Sequence, residues 1–125
     1  MKRYNPATST RHLIISMIIY KVTNLKNGKI YIGQTIKSLS DRRHKHEYDA
    51  NRNDRKTVKF HNALLKDGFD FFKWEVLLDC TTQDELDYYE KFYISKYESY
   101  KRDKGYNLKL GGKFGGIFTD ESKKA

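Results

Sequence analysis

Arg42 and His46 lie four residues apart in the run Arg42-Arg43-His44-Lys45-His46, a spacing that puts both side chains on one face of a helix. An arginine grips a phosphate through two hydrogen bonds, and a histidine exchanges protons near neutral pH, so the pair suits phosphodiester chemistry. The same run also fits a solvated basic face that attracts a phosphate backbone and does nothing more. Glu90 is a second candidate. On a helical wheel with Leu86 at 0°, Tyr89, Tyr93, Ile94 and Tyr97 fall within about 80° and Glu90 at about 40°. A carboxylate inside an apolar stripe is costly unless it is paired or binds a metal. Two readings follow, a structural salt bridge and a cation ligand. Asp87, Lys91, Ser95 and Glu98 take the opposite side, expected to be solvated.

Tyr20 and Tyr31 are the third feature, and a hairpin must position them. Met17 to Thr23 and Lys29 to Gln34 are β-prone and flank an Asn-Gly turn signal at Asn27-Gly28. With an even turn and no bulge, cross-strand partners have numbers that sum to an odd value, so Tyr31 faces Val22 or Asn24. Side chains alternate along each strand, and Tyr31 then shares a face with Tyr20. Cross-strand aromatic packing explains such a pair without any chemistry.

The remaining elements follow from period and punctuation. Ser38 or Ser40 caps a basic helix through about Ala50, and a polar loop covers Asn51 to Lys56. A second helix spans about Thr57 to Lys66, closed at Asp67-Gly68. Phe71 to Cys80 reads as a third strand in which Trp74, Val76 and Leu78 alternate with Lys73, Glu75 and Leu77. Thr82 caps a helix to about Ser99, with acidic residues in its first turn. Lys101 to Gly105 is a polar break and Tyr106-Asn107-Leu108 a short ordered piece. The arrangement is α+β, an antiparallel sheet of three strands flanked by helices.

Composition narrows the partners. With 25 Lys plus Arg against 16 Asp plus Glu, the chain of 125 residues carries +9, a field that concentrates polyanions. That length suits one domain and one active site. Its apolar runs, such as Met17-Ile18-Ile19 and Val76-Leu77-Leu78, are too short for a membrane span. Leu13-Ile14-Ile15 is likewise too short for a signal-peptide core, so a location inside the cell, in the cytoplasm, is expected. Cys80 is the single cysteine and zinc-ligand spacing is missing, which excludes an internal disulfide and a zinc ribbon.

Ile18-Ile19-Tyr20, ten residues, and then Tyr31-Ile32-Gly33 resemble the paired signature of the GIY-YIG nuclease family, with Ile18 at the first glycine. Leu39-Ser40-Asp41-Arg42 with His46, Tyr89-Glu90-Lys91-Phe92-Tyr93-Ile94, and Gly105-Tyr106-Asn107 follow in the family's order. The resemblance covers about Met17 to Gly112 and implies an endonuclease that hydrolyses DNA with one divalent cation, Mg²⁺ or Mn²⁺. It implies that Tyr20 accepts the proton of the attacking water, relayed through His46, and that Tyr31 orients the scissile phosphate. Arg42 would neutralise the growing charge, and Glu90 would bind the metal. A phenol with pKa near 10 is a poor base at pH 7, so positive charge near Tyr20 is expected to lower its pKa. Asn107 resembles a site asparagine of the homing-endonuclease branch, with either a phosphate contact or a turn-stabilising role.

Double-stranded DNA is the expected partner, with no membrane and a monomer favoured. Met1 to Ser16 is expected to be a flexible extension, residues 17–110 the nuclease domain, and residues 111–125 a glycine-rich linker that opens a DNA-binding tail. Such modules follow the nuclease in phage and intron homing endonucleases. Two other functions fit the same residues, a catalytically idle nucleic-acid-binding module and a restriction or repair nuclease of the family.

Overall fold

The computed structural model describes residues 17–52 and 58–108. The expectations for Met1 to Ser16 and for residues 111–125 therefore fall outside the described residues. The elements are β1 (Ile18–Asn24), β2 (Ile30–Thr35), α1 (Leu39–Asn51), α2 (Val58–Asp67), β3 (Phe72–Asp79) and α3 (Gln83–Tyr97). A short 3₁₀ turn, Phe69–Phe71, leads into β3.

The three strands form one antiparallel sheet in the order β2-β1-β3, so the strand that carries Tyr20 is central. Val22 faces Tyr31 and Tyr20 faces Gly33, the register expected from the turn. Tyr20 and Tyr31 accordingly share a face, where Val22, Ala50, Phe60, Leu64, Phe72 and Tyr106 pack around them. Ile19 and Ile32 occupy the other face against Leu86 and Ile94 of α3, with buried Cys80 beside them. Two apolar layers thus sandwich the sheet, α1 and α2 supplying one and α3 the other.

The alternation proposed for β3 does not hold along its whole length. Ile19 pairs with Leu78 but Tyr20 pairs with Val76, so Leu77 is an inserted residue. A bulge of this kind flips the side-chain phase, and both Leu77 and Leu78 pack on the α3 face while Val76 is left exposed.

Local signals set the helix phases. Of the two candidate caps for α1, Ser38 is the one used, and its Oγ accepts from Asp41 N at 3.0 Å. Thr82 Oγ1 accepts from Glu85 N at 3.1 Å, and Glu85 Oε1 accepts from Thr81 N at 2.7 Å. α3 stops at Tyr97, two residues short of the expected end. Glu98 takes a left-handed conformation at φ 55°, and its carboxylate is held by Lys101 and Lys104 at 3.0 and 2.6 Å.

Lys91 departs from the wheel, being 4 % exposed although it was placed on the solvated side. Its Nζ folds back to donate to the Asp87 carbonyl at 3.1 Å, which lets the aliphatic stem go under cover while the charge keeps a partner.

After α3 the chain returns along β2. Ile30 N donates to Lys104 O at 3.1 Å, Tyr106 N donates to Ile30 O at 2.9 Å, and Gly105 forms a parallel bridge with Ile30. A Cβ at Gly105 would overlap the backbone oxygens of Ser99 and Ile30, atoms that cannot swing aside. Gly105→Ala is therefore expected to cost about 3 kcal/mol, the upper range for overpacking. Denaturant melts check the size, and faster hydrogen exchange at Ile32 N should show that the return segment has lifted from β2. A variant as stable as the parent would refute this docking.

Candidate active site

The Tyr20 side chain is fully buried, and its Oη meets His46 and Arg42 and shares a side-chain hydrogen bond with Tyr31. His46 Nε2 lies at 2.7 Å and Arg42 Nε, which donates, at 3.2 Å. Both come from α1, so the Ser38 cap, which fixes where the helix starts, also fixes which residues face the sheet. Gly33 lies directly across from Tyr20, and any Cβ there would overlap the phenol at Cζ and Oη. Trp74 of β3 stacks against Tyr20 with ring centres 6.2 Å apart and planes at 20°. Tyr31 stacks on Phe60 at 4.3 Å and meets His46 edge-on at 5.5 Å.

Behind His46 stands His61 of α2. Its Nε2 is 2.9 Å from His46 Nδ1, and both rings are buried. His61 carries little mark of a site residue in the sequence. The only available signal was its place one residue after Phe60 on the apolar helix, where an imidazole reads as packing.

Glu90 comes from α3, on the other face of the sheet, and is held by Gln34 Nε2 at 3.0 Å. Gln34 also donates to Asp87 Oδ1 at 3.1 Å, so the two carboxylates share one amide. No ion pair to Glu90 occurs among the described residues, although the charges of Lys91 and Arg42 both act on it. The charge of Glu90 is felt by Tyr20, Tyr31 and Arg42, and these four residues form one electrostatic unit with His46.

Asn107 stands apart. Its Oδ1 accepts from Ile32 N at 2.9 Å and from Ser99 Oγ at 2.7 Å, and its Nδ2 donates to Ile32 O at 2.9 Å. The side chain imitates a strand partner and fastens β2 next to Tyr31. These bonds brace the backbone of β2 rather than a turn.

Burial dominates the proton affinities. It raises Tyr20 to about 12, with Arg42 opposing, and raises Tyr31 well above the usual phenol value. Arg42 lowers Tyr20, as expected of a nearby cation, but burial outweighs that one partly exposed guanidinium. Burial also raises Glu90, and burial followed by the charge of Arg42 pushes His46 down to about 2.

Among the described residues there is no cluster of three or more His, Cys, Asp or Glu that would enclose a metal. The donor set still fits a hard cation. Glu90 is a partly buried carboxylate with one oxygen on an amide and no ion pair among the described residues, and Mg²⁺ commonly takes one or two carboxylates and fills its other positions with water and phosphate oxygens. A cleft of about 360 Å³ opens beside Arg42 and is lined by Thr35, Lys37, Asp41 and Lys45.

The three-stranded sheet thus presents two phenols, a histidine and an arginine on one side and, from the other, the acid pair that shares Gln34. Residues 16–107 match the GIY-YIG catalytic domain, and the chain belongs to that family. It is 32 % identical over 91 residues to the uncharacterized protein 019R of Invertebrate iridescent virus 6, a match covering 71 % of this chain. The chain spans about a third of the length of that relative. Two solved structures of the catalytic domain of the homing endonuclease I-TevI superpose with TM-scores of 0.69 and 0.64. Their identities are 23 % and 25 %, and the matches cover 78 % and 74 % of this chain and 98 % and 97 % of theirs.

His46 ties stability to acidity. Its pKa is about 2 in the folded protein against 6.5 free, so below 6.5 the unfolded chain binds the extra proton. Its contribution is complete above pH 6.5 and is lost as pH falls toward 2, at a limiting slope of about 1.4 kcal/mol per unit. Unfolding free energies measured from about pH 7.5 to 4.5 should hold level down to 6.5 and then decline toward that slope, and His46→Gln should flatten the decline. An equal slope in the variant would show that His46 is not the buried neutral group.

Proposed function

We propose that this protein is an endonuclease that hydrolyses double-stranded DNA with one divalent cation, Mg²⁺ or Mn²⁺, held by Glu90. The observation that carries the reading is the convergence on Tyr20 of a proton acceptor, His46, a fixed cation, Arg42, and the field of an acid, Glu90. The superposition on a homing endonuclease's catalytic domain supports the same activity. No helix among the described residues is long and apolar enough to cross a membrane.

A phosphodiester is an anion that repels an attacking oxygen, so its charge must be offset where bonds change. When bound, the cation supplies Lewis acidity and charge for the departing 3′ oxygen. Arg42, beside the cleft, offers its remaining N–H groups to a phosphate oxygen while Nε stays on Tyr20. Tyr31 sits on the same face and positions the phosphate, and Tyr20 takes the proton of the attacking water. Lys37 and Lys45 extend the positive surface along the cleft for the flanking phosphates. A homing-type role, in which further DNA-binding elements supply the target sequence, fits the small size of the site.

Supercoiled plasmid incubated with Mg²⁺ should be nicked or linearised, and a chelator should stop the reaction. Glu90→Gln is expected to reduce cleavage by about 10²–10³-fold, the range for loss of one electrostatic stabiliser. Its melting temperature should hardly move, because a glutamine oxygen can still accept from Gln34. DNA binding followed by fluorescence anisotropy should be as tight or tighter. Normal cutting by Glu90→Gln in Mg²⁺ would remove Glu90 from the metal's binding site.

Raising salt from about 50 to 200 mM should weaken binding by orders of magnitude if six or more phosphates are contacted. Affinity that ignores salt would contradict an interface built on the basic cleft.

A further inference from the structure

Gln34 stands on β2 between Gly33, which faces Tyr20, and Thr35, which lines the cleft. Its side chain lies on the α3 face with that of Ile32, because residues two apart on a strand share a face. Both ends of its amide are engaged. Nε2 donates to Glu90 Oε1 at 3.0 Å and to Asp87 Oδ1 at 3.1 Å, while Oε1 accepts from Gln83 Nε2 at 2.8 Å. Gln83 Nε2 also donates to Asp87 Oδ1 at 3.0 Å, one turn away on α3. Turning the Gln34 amide over would set its oxygen against two carboxylates and its N–H groups against those of Gln83, so the observed orientation is the one that satisfies all four bonds.

We propose that Gln34 is the positioning residue of the cation site: its amide holds Glu90 by Oε1 and leaves Oε2 for the ion, with Gln83 and Asp87 fixing the amide in turn. The proposal rests on the reading of Glu90 as the metal's ligand and adds to it a residue that touches neither metal nor substrate.

A single carboxylate on a long side chain is a mobile ligand. Glutamate turns about three side-chain torsions, and a cation gains most from a carboxylate that is already oriented by a hydrogen bond. Among the described residues, the hydrogen bond that orients Glu90 is the one from Gln34. A neutral donor suits the task. A lysine or arginine at position 34 would hold the carboxylate as firmly but would cancel the charge that draws the ion, whereas an amide orients the oxygen and leaves its charge in place. The shared amide also keeps Asp87 near Glu90, and the repulsion between the two acids is relieved when a divalent ion arrives.

Mn²⁺ titrated into the full chain, with the free ion counted by electron paramagnetic resonance, measures the site without cleavage. The parent is expected to bind one ion and Glu90→Gln none. Gln34→Leu is expected to bind about 10-fold more weakly, within the range for residues that orient a ligand, and to keep the parental melting temperature in the absence of metal. Gln34→Asn, which keeps an amide but draws it back by one methylene, should weaken binding likewise and decides the question if the leucine variant fails to fold. On plasmid, raising Mn²⁺ should restore the cleavage rate of the Gln34 variants, whereas Glu90→Gln should stay slow at every concentration. Gln34 variants that bind Mn²⁺ as tightly as the parent would overturn the proposal and leave the reading of Glu90 intact. A rate that no concentration of Mn²⁺ restores would overturn it too, because Gln34 would then act on something other than the hold on the ion. A parent that binds no Mn²⁺, or a Glu90→Gln protein that binds it at parental strength, would instead defeat the reading of Glu90 as ligand.

Discussion

The bond between Tyr20 Oη and His46 Nε2 joins the central strand to the helix that lies across it, and the rest of the site is arranged so that this bond can form away from water. A buried hydroxyl without a partner costs about 1–3 kcal/mol, so the phenol and the imidazole hold each other in place. Gly33 supplies the room, because the opposite position on β2 must lack a Cβ for the ring to lie where it does. Trp74 and Phe60 then close the surroundings with aromatic surface, and Tyr31 adds both its ring and a side-chain hydrogen bond to Tyr20. The Ser38 cap completes the geometry by setting the phase in which Arg42 and His46 meet the sheet.

The same burial decides the electrostatics. Desolvation is the largest influence on Tyr20, Tyr31, His46 and Glu90, and in every case it favours the neutral form. Arg42 remains charged under all these conditions and is the fixed point against which the others respond. An apparatus of neutral groups around one permanent cation suits a polyanionic substrate. Positive charge arrives with the protein, negative charge arrives with the phosphate, and the groups between them are free to exchange protons.

How much of this could be read from the chain depended on whether a signal was local. The shared face of Tyr20 and Tyr31 follows from the length of the Asn-Gly turn, and the Val22–Tyr31 pairing has that register. The Thr82 cap and the placement of Glu90 in an apolar stripe likewise follow from helical period. What was not legible depends on contacts between elements. His61 looks like any helix residue until α2 is laid against α1. Gln34 reads as an ordinary strand residue until α3 brings Asp87 and Glu90 to its amide. The inserted Leu77 cannot be seen in a run of apolar residues, since Val76, Leu77 and Leu78 suit either face. Lys91 was misplaced because a wheel treats lysine as a charge and ignores its stem.

Asn107 shows how the end of the domain enters the site without touching it. Glu98 ends α3 in a left-handed turn, its carboxylate gathers Lys101 and Lys104, and the chain is thereby aimed back along β2. Gly105 allows the close approach, and Asn107 then offers Ile32 an acceptor and a donor in the pattern of a neighbouring strand. β2 is an edge strand, and without this return segment its outer amides would lack partners just beside Tyr31 and Gly33. The two residues of the second signature half thus owe their rigidity to a segment more than 70 residues later. The hairpin alone fixes which face the tyrosines share, whereas the return segment fixes how firmly Tyr31 is held there. The motif at Gly105-Tyr106-Asn107 is in this sense a clamp on the nuclease signature.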